Sequence, residues 1–250
     1  MYEIVWNIGK KNSGKCILKL FIGECAQEDC DYEREMQSRF NPALILENEF
    51  EIIELVEKNS KVCKEELKNP YLMIRYDTDL FREIFKHGRM NLNICHWLGK
   101  EIFSQIKEIH AAGVLLDEIN IENILIDSKS GKLNVCGGFS RRTTKTLKDN
   151  LFDFGKIVFI IHIGTLPFQE ACERDWWYHK LMFNQNLFWK AFTLQRHEID
   201  DEFKAFIIAL MGSDARQTIE EVEKLSWWKR VSKFSNEAFI SELANRKKFK

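Results

Sequence analysis

Little in this chain interrupts regular structure, since only three prolines and twelve glycines are spread over 250 residues. That scarcity argues against long linkers, and no internal repeat or low-complexity stretch is present. No apolar run approaches the roughly 18–20 residues that span a bilayer, so no membrane partner is expected. The opening MYEIVWNIGKKNSGK lacks the charged-then-apolar layout of a secretory signal. There is no CxxC pair among the seven cysteines, Cys16, Cys25, Cys30, Cys63, Cys95, Cys136 and Cys172. Their odd number and scatter point to reduced thiols in a cytoplasmic protein, with neither a disulfide frame nor a zinc site. A formal net charge of −1 removes the electrostatic reason to expect nucleic acid.

What is present suits a globular fold: 45% hydrophobic and 30% charged residues, enough for one large domain or a small lobe on a larger one. Ile4, Trp6 and Ile8 alternate with polar or smaller neighbours, then comes the turn-rich GKKNSG, then Cys16 to Phe21. That pattern predicts a β-hairpin. Residues 27–40 predict a helix with apolar spacing at Tyr32, Met36 and Phe40. Strands are expected around Phe50–Val56 and Tyr71–Tyr76. Beyond residue 77 the period turns helical. Ile94, Leu98, Ile102, Ile106 and Ile109 define a long amphipathic helix. Leu151 to Ile163, apolar almost all round, predicts a helix buried at the centre of a lobe. Further helices are expected at 173–191, 200–212, 217–225 and 235–248. The expected fold class is α+β, a small β-rich lobe (1–76), a helical lobe (77–231) and a basic C-terminal helix or tail (232–250).

Between the long helix and the buried one runs Gly113-Val114-Leu115-Leu116-Asp117-Glu118-Ile119-Asn120-Ile121-Glu122-Asn123-Ile124-Leu125-Ile126-Asp127. It resembles the catalytic loop of eukaryotic protein kinases, G-I-V-H-R-D-L-K-P-E-N-I-L-L-D, without a gap. His110 ends the preceding helix as a kinase histidine often does. Leu133 to Phe139 is similar to the strand leading into Asp-Phe-Gly. Phe152-Asp153-Phe154-Gly155 and Gly164-Thr165-Leu166-Pro167-Phe168 resemble the buried helix and its Gly-x-x-Pro-Phe exit. Asn186 to Lys190 and Asp200 to Gly212 continue the order, so the resemblance covers residues 2–231. It implies a two-lobe, protein-kinase-like fold with a reduced antiparallel small lobe.

Phosphoryl transfer needs a phosphate cover, a cation on the phosphates, metal ligands and a carboxylate beside the nucleophile. The resemblance puts Lys19 at the phosphate-binding lysine, yet eighteen residues precede it, and they make the hairpin that would follow a Gly-rich strand. Backbone amides to cradle phosphates are therefore expected to be missing. Lys19 and Glu33 either form the strand–helix ion pair of a small lobe or are ordinary surface charges. Ile17 stands where a small alanine would sit above adenine, with Leu125 as the floor, so the pocket is expected to be partly filled. Asn123 matches one metal ligand, but Gly137 replaces the Asp of Asp-Phe-Gly and Gly138 its Phe, leaving a poor Mg²⁺ site. Glu118 replaces the catalytic Asp and reaches about one methylene too far for an in-line geometry. Asn120 replaces the lysine of that loop, Leu116 its histidine and Asp117 its arginine. Ten residues separate Phe139 from Asn150, too few for an activation segment. Asn150 takes the place of a buried aspartate, and Arg216 would lack its usual partner.

The resemblance therefore implies a degenerate member, a pseudokinase with no catalytic residue, no bound metal and no cofactor. The function expected is that of a protein-binding or scaffold module, a subunit of a larger assembly. The alternatives are an allosteric or decoy regulator of an active kinase, or a residual nucleotide-binding transferase using Glu118 and Asn123. Trp176-Trp177-Tyr178 and Trp227-Trp228 either anchor a protein partner or pack the lobe. The tail from Lys229 onward carries seven basic residues against two acidic ones, with Phe234, Ala238, Phe239 and Leu243 at helical spacing. It docks either on this domain or on an acidic partner.

Overall fold

A computed structural model describes residues 2–8, 12–20, 26–40, 70–74, 76–194, 199–213, 215, 218–231 and 234–247; up to residue 27 and over 70–74 it gives the backbone course alone. The chain forms two compact units, Met1–Asp77 with Cys136–Thr143, and Thr78–Val135 with Thr144–Lys250.

In the first unit β1 (Tyr2–Ile8) and β2 (Asn12–Leu20) make the predicted hairpin, and β3 (Pro70–Ile74) pairs antiparallel with β2. Strand β2 begins at Asn12, inside GKKNSG. The strand expected at Phe50–Val56 lies outside the described residues. Helix α1 (Ala26–Phe40) has Glu28 and Asp29 in its first turn, where carboxylates favour the helix dipole. Its buried face is Cys30, Glu33, Met36 and Gln37. Of the expected Tyr32, Met36 and Phe40, only Met36 is fully buried. Tyr32 and Phe40 instead meet the short segment of the same unit, where Arg141 lies over the Tyr32 ring and Phe139 stacks on Phe40 at 5.8 Å.

The second unit opens with β4 (Thr78–Asp79), which joins β5 (Ile124–Ile126) and β6 (Leu133–Val135) in an antiparallel sheet. Helix α2 (Leu80–His87), which the periodicity did not predict, starts where the Asp79 carboxylate accepts from Arg82 N at 2.7 Å. Helix α3 (Leu92–Ala111) buries the Ile94–Ile109 stripe as expected. Helix α4 (Leu147–Ile163) begins with a Thr146–Asp149 capping box and is buried on most sides. Gly155 lets it press on α7 (Asp201–Met211), because a Cβ there would stand 2.7 Å from Met211 Cγ. The single helix predicted at 173–191 is two, α5 (Trp176–Phe183) and α6 (Gln185–Leu194). Asn184 separates them, its side chain and carbonyl both accepting from Leu187 N. Short helices α8 (Ile219–Val222) and α9 (Ser226–Lys229) precede α10 (Asn236–Arg246).

Both tryptophans of α9 are core residues, so of the two alternatives for this pair the structure has packing of the lobe and not a partner anchor. Trp227 is fully buried against Phe206, Phe203 and His96; Trp228 packs on Phe103, Phe154 and Phe206. The C-terminal helix likewise docks on its own unit. It buries Phe239 and Leu243, with Trp97 against Phe239 and Phe234. Asn236 donates to Ser130 O, and Arg246 donates to Gly88 O and Arg89 O while pairing with Glu242. Among the described residues no helix is long and apolar enough to cross a membrane.

Candidate functional site

The loop Gly113–Asn123 is held from below by one side chain. Asn150, fully buried near the start of α4, accepts from Leu116 N at 3.0 Å and donates to Leu116 O at 2.6 Å. The same Oδ1 lies 2.8 Å from His110 Nε2, at the end of α3. An aspartate would accept but could not donate to the Leu116 carbonyl, so the amide is the residue type that completes this network. Because Oδ1 only accepts, Nε2 carries the imidazole proton, and the buried Nδ1 has no hydrogen-bond partner among the described residues. Burial lowers the His110 pKa, with the Asn150 bond opposing it, so the ring is neutral near pH 7.

Asn120 is turned to local use. Its Oδ1 accepts from Asn123 N at 2.9 Å and caps the single 3₁₀ turn Ile121–Asn123. The amide meant to stand in for the loop lysine is thus engaged with backbone. Glu118 and Asp117 are exposed, and Glu118 has no ion-pair partner among the described residues. Asn123 is half-buried, and Leu125 is buried in the middle of β5. Glu118, Asn120, Asn123 and Leu125 all belong to the helical unit.

The remaining predicted positions lie in the sheet unit. Ile17 and Lys19 are two apart on β2, opposite Met73 and Tyr71, and so share one face of the sheet. Their side chains, and hence the Lys19–Glu33 ion pair, fall outside the described residues, as does Arg216. Glu33 is buried on α1. Gly137 and Gly138 have φ of +77° and +74°, a region that side-chain-bearing residues rarely adopt. Where Asp-Phe-Gly would present a carboxylate there is no side chain, and the backbone is set for glycine at two successive positions. Among the described residues no three His, Cys, Asp or Glu side chains are grouped to hold a metal ion.

Two features escaped the sequence reading. Gln105, mid-helix in α3, accepts from Val135 N at 2.9 Å and donates to Leu133 O at 3.1 Å, fastening β6 to the helix. A glutamine on a helix gives no sequence signal of such a role. Beside the loop, Glu118 and Asn120 also line an apolar recess of about 470 Å³ formed with Phe81, Phe85, Ile160 and Leu166. It went unseen because α2 was not predicted.

A small antiparallel sheet with one helix, followed by a helical unit built on α3, the loop and a buried α4, is a protein-kinase-like fold. Solved structures agree. The chain is similar to the crystal structure of Rad53 kinase domain and SCD2, at 18% identity and a TM-score of 0.65, over 95% of this chain and 94% of that one. The same domain in complex with AMPPNP matches at 17% identity and 0.62, over 94% and 92%. Rad53 1-466 in complex with AMP-PNP matches at 18% and 0.59, over 87% of this chain and 58% of that one. No protein-family model and no curated protein matches the sequence.

Proposed function

We propose that this chain is a catalytically silent kinase-fold module that acts by binding protein, as a subunit of a larger assembly. The observation that carries this is the Gly137-Gly138 pair, which offers no side-chain oxygen where a kinase holds Mg²⁺ through aspartate. Three further features support it. Asn120 is spent on a local cap, Glu118 stands one methylene longer than the usual base, and ten residues replace an activation segment. Each removes a different part of the transfer machinery, so no single compensating group restores it. A lobe that keeps its packing without that machinery retains surfaces as its means of action. Seven cysteines scattered singly support a cytoplasmic setting for it.

The likeness to kinase domains favours one second reading, a regulator of an active kinase through the shared fold. A change in that kinase's rate on adding the full chain distinguishes this from a passive subunit. For the main proposal, thermal unfolding with and without Mg²⁺-ATP is the test. Ligand at about 100 times its dissociation constant would stabilise by about 2.7 kcal/mol. A flat response is expected, and a saturable rise in Tm that requires Mg²⁺ would refute the vestigial assignment of Ile17, Lys19, Glu33, Asn123 and Leu125.

A further inference from the structure

Building on the reading as a protein-binding module, we propose that the outer faces of α5 and α6 are its docking surface, and that they receive an acidic, amphipathic helix of a partner. Helix α5 presents Trp176, Lys180 and Phe183 at helical spacing; α6 presents Leu187, Lys190 and Leu194 in the same apolar–basic–apolar order. The four apolar members are 51%, 62%, 38% and 74% exposed, half of the large exposed hydrophobics among the described residues. Their lobe does not need them, because its own packing uses the opposite faces, through Leu181, Phe188, Trp189 and Phe192. Apolar side chains exposed in this pattern mark an interaction surface.

Trp176 is also held in place. Its ring meets Trp177 edge-on at 4.8 Å, and Trp177 in turn packs on Phe192 at 5.2 Å. Lys180 Nζ also lies over the Trp176 ring, 5.5 Å from its centroid. A fixed indole loses little side-chain freedom on docking, which is how tryptophan becomes an interface anchor.

Charge decides the occupant. Residues 176–194 contain His179, Lys180 and Lys190, and no aspartate or glutamate. The carboxylate next in sequence, Asp175, accepts from the backbone amides of Gln169, Glu170, Trp177 and Tyr178. The complement is therefore acidic, and apolar residues repeating every three to four positions match the ridges of a helix. A second copy of this face would set lysines against lysines. An anionic membrane is served by clusters of about four to eight basic residues, more than stand here.

The full chain is titrated by fluorescence anisotropy with a synthetic amphipathic helix of Leu and Glu, and with its twin carrying Lys for every Glu. Phosphatidylserine vesicles are tested by sedimentation. The Glu helix should bind, about tenfold more weakly to Trp176→Ala and to Lys180→Glu, with Tm unchanged in both variants. The Lys helix should gain affinity for Lys180→Glu. No binding of the Glu helix, equal binding of both helices, or indifference to both substitutions overturns the proposal. So does vesicle binding in place of peptide, or a dimer that Trp176→Ala dissolves. Phosphate transfer by the chain would defeat the binding-module reading and leave these titrations to be judged on their own.

Discussion

At the scale of single residues, the loop that a kinase uses for chemistry is here a packed element, and Asn150 shows it most plainly. Replacing it with aspartate puts a carboxylate against the Leu116 carbonyl and removes a donor. Asn150→Asp should cost about 1–3 kcal/mol in chemical denaturation near pH 7. The new charge would raise the His110 pKa, so part of that loss should be recovered as pH falls and an imidazolium–carboxylate pair forms. Gly138 makes a second prediction. Restoring phenylalanine forces a side-chain-bearing residue to φ near +74°, at a cost of about 1–2 kcal/mol measured the same way. Gly137→Asp should be milder, since aspartate tolerates the left-handed region better than bulky residues. A stabilising Gly138→Phe would mean that the backbone relaxes readily to a kinase-like course.

Among the elements, those with long regular patterns were legible in advance. The Ile94–Ile109 stripe and the apolar run from Leu151 fixed α3 and α4, because burial on one face or all round leaves a period in the sequence. Helix α2 was not legible, since its two buried aliphatic side chains, Leu80 and Ile84, make too short a repeat. The break at Asn184 was hidden for a different reason. An asparagine can cap a new helix while the apolar spacing continues across it. Polar site residues were the least legible. Glu118, Asn120 and Gly137 drew attention only through motif order, and nothing local announced that Asn120 caps its own turn. For α9 the aromatic pair admitted both surface and core, and tertiary packing decided for core. Trp227→Ala should therefore cost about 3–5 kcal/mol, read as a shift in the denaturation midpoint. For α10 the test is Arg246→Ala. Loss of its bonds to Gly88 O and Arg89 O should increase amide hydrogen exchange at the α2–α3 connection, with α4 unaffected.

On the scale of the whole molecule, pH offers a reading of the helical unit. His110 and His96 are both held below the ordinary imidazole value near 6.5, chiefly by burial, and for His96 also by Lys100 and Arg230. The folded state thus prefers the neutral rings. Their contribution is complete above about pH 6.5 and is lost as pH falls from there toward the depressed folded values. Denaturation midpoints should decline from pH 7.5 to pH 5, and the slope should flatten in His110→Gln. The same molecule keeps a kinase-like order of elements, and in the proposed reading its loop, Gly137 and short segment no longer serve phosphate transfer. The most direct test of that central claim is phosphate transfer from labelled ATP with Mg²⁺ by the full chain, beside Glu118→Ala. Both proteins should give only the background of buffer. Transfer by the wild-type chain that Glu118→Ala abolishes would contradict the account.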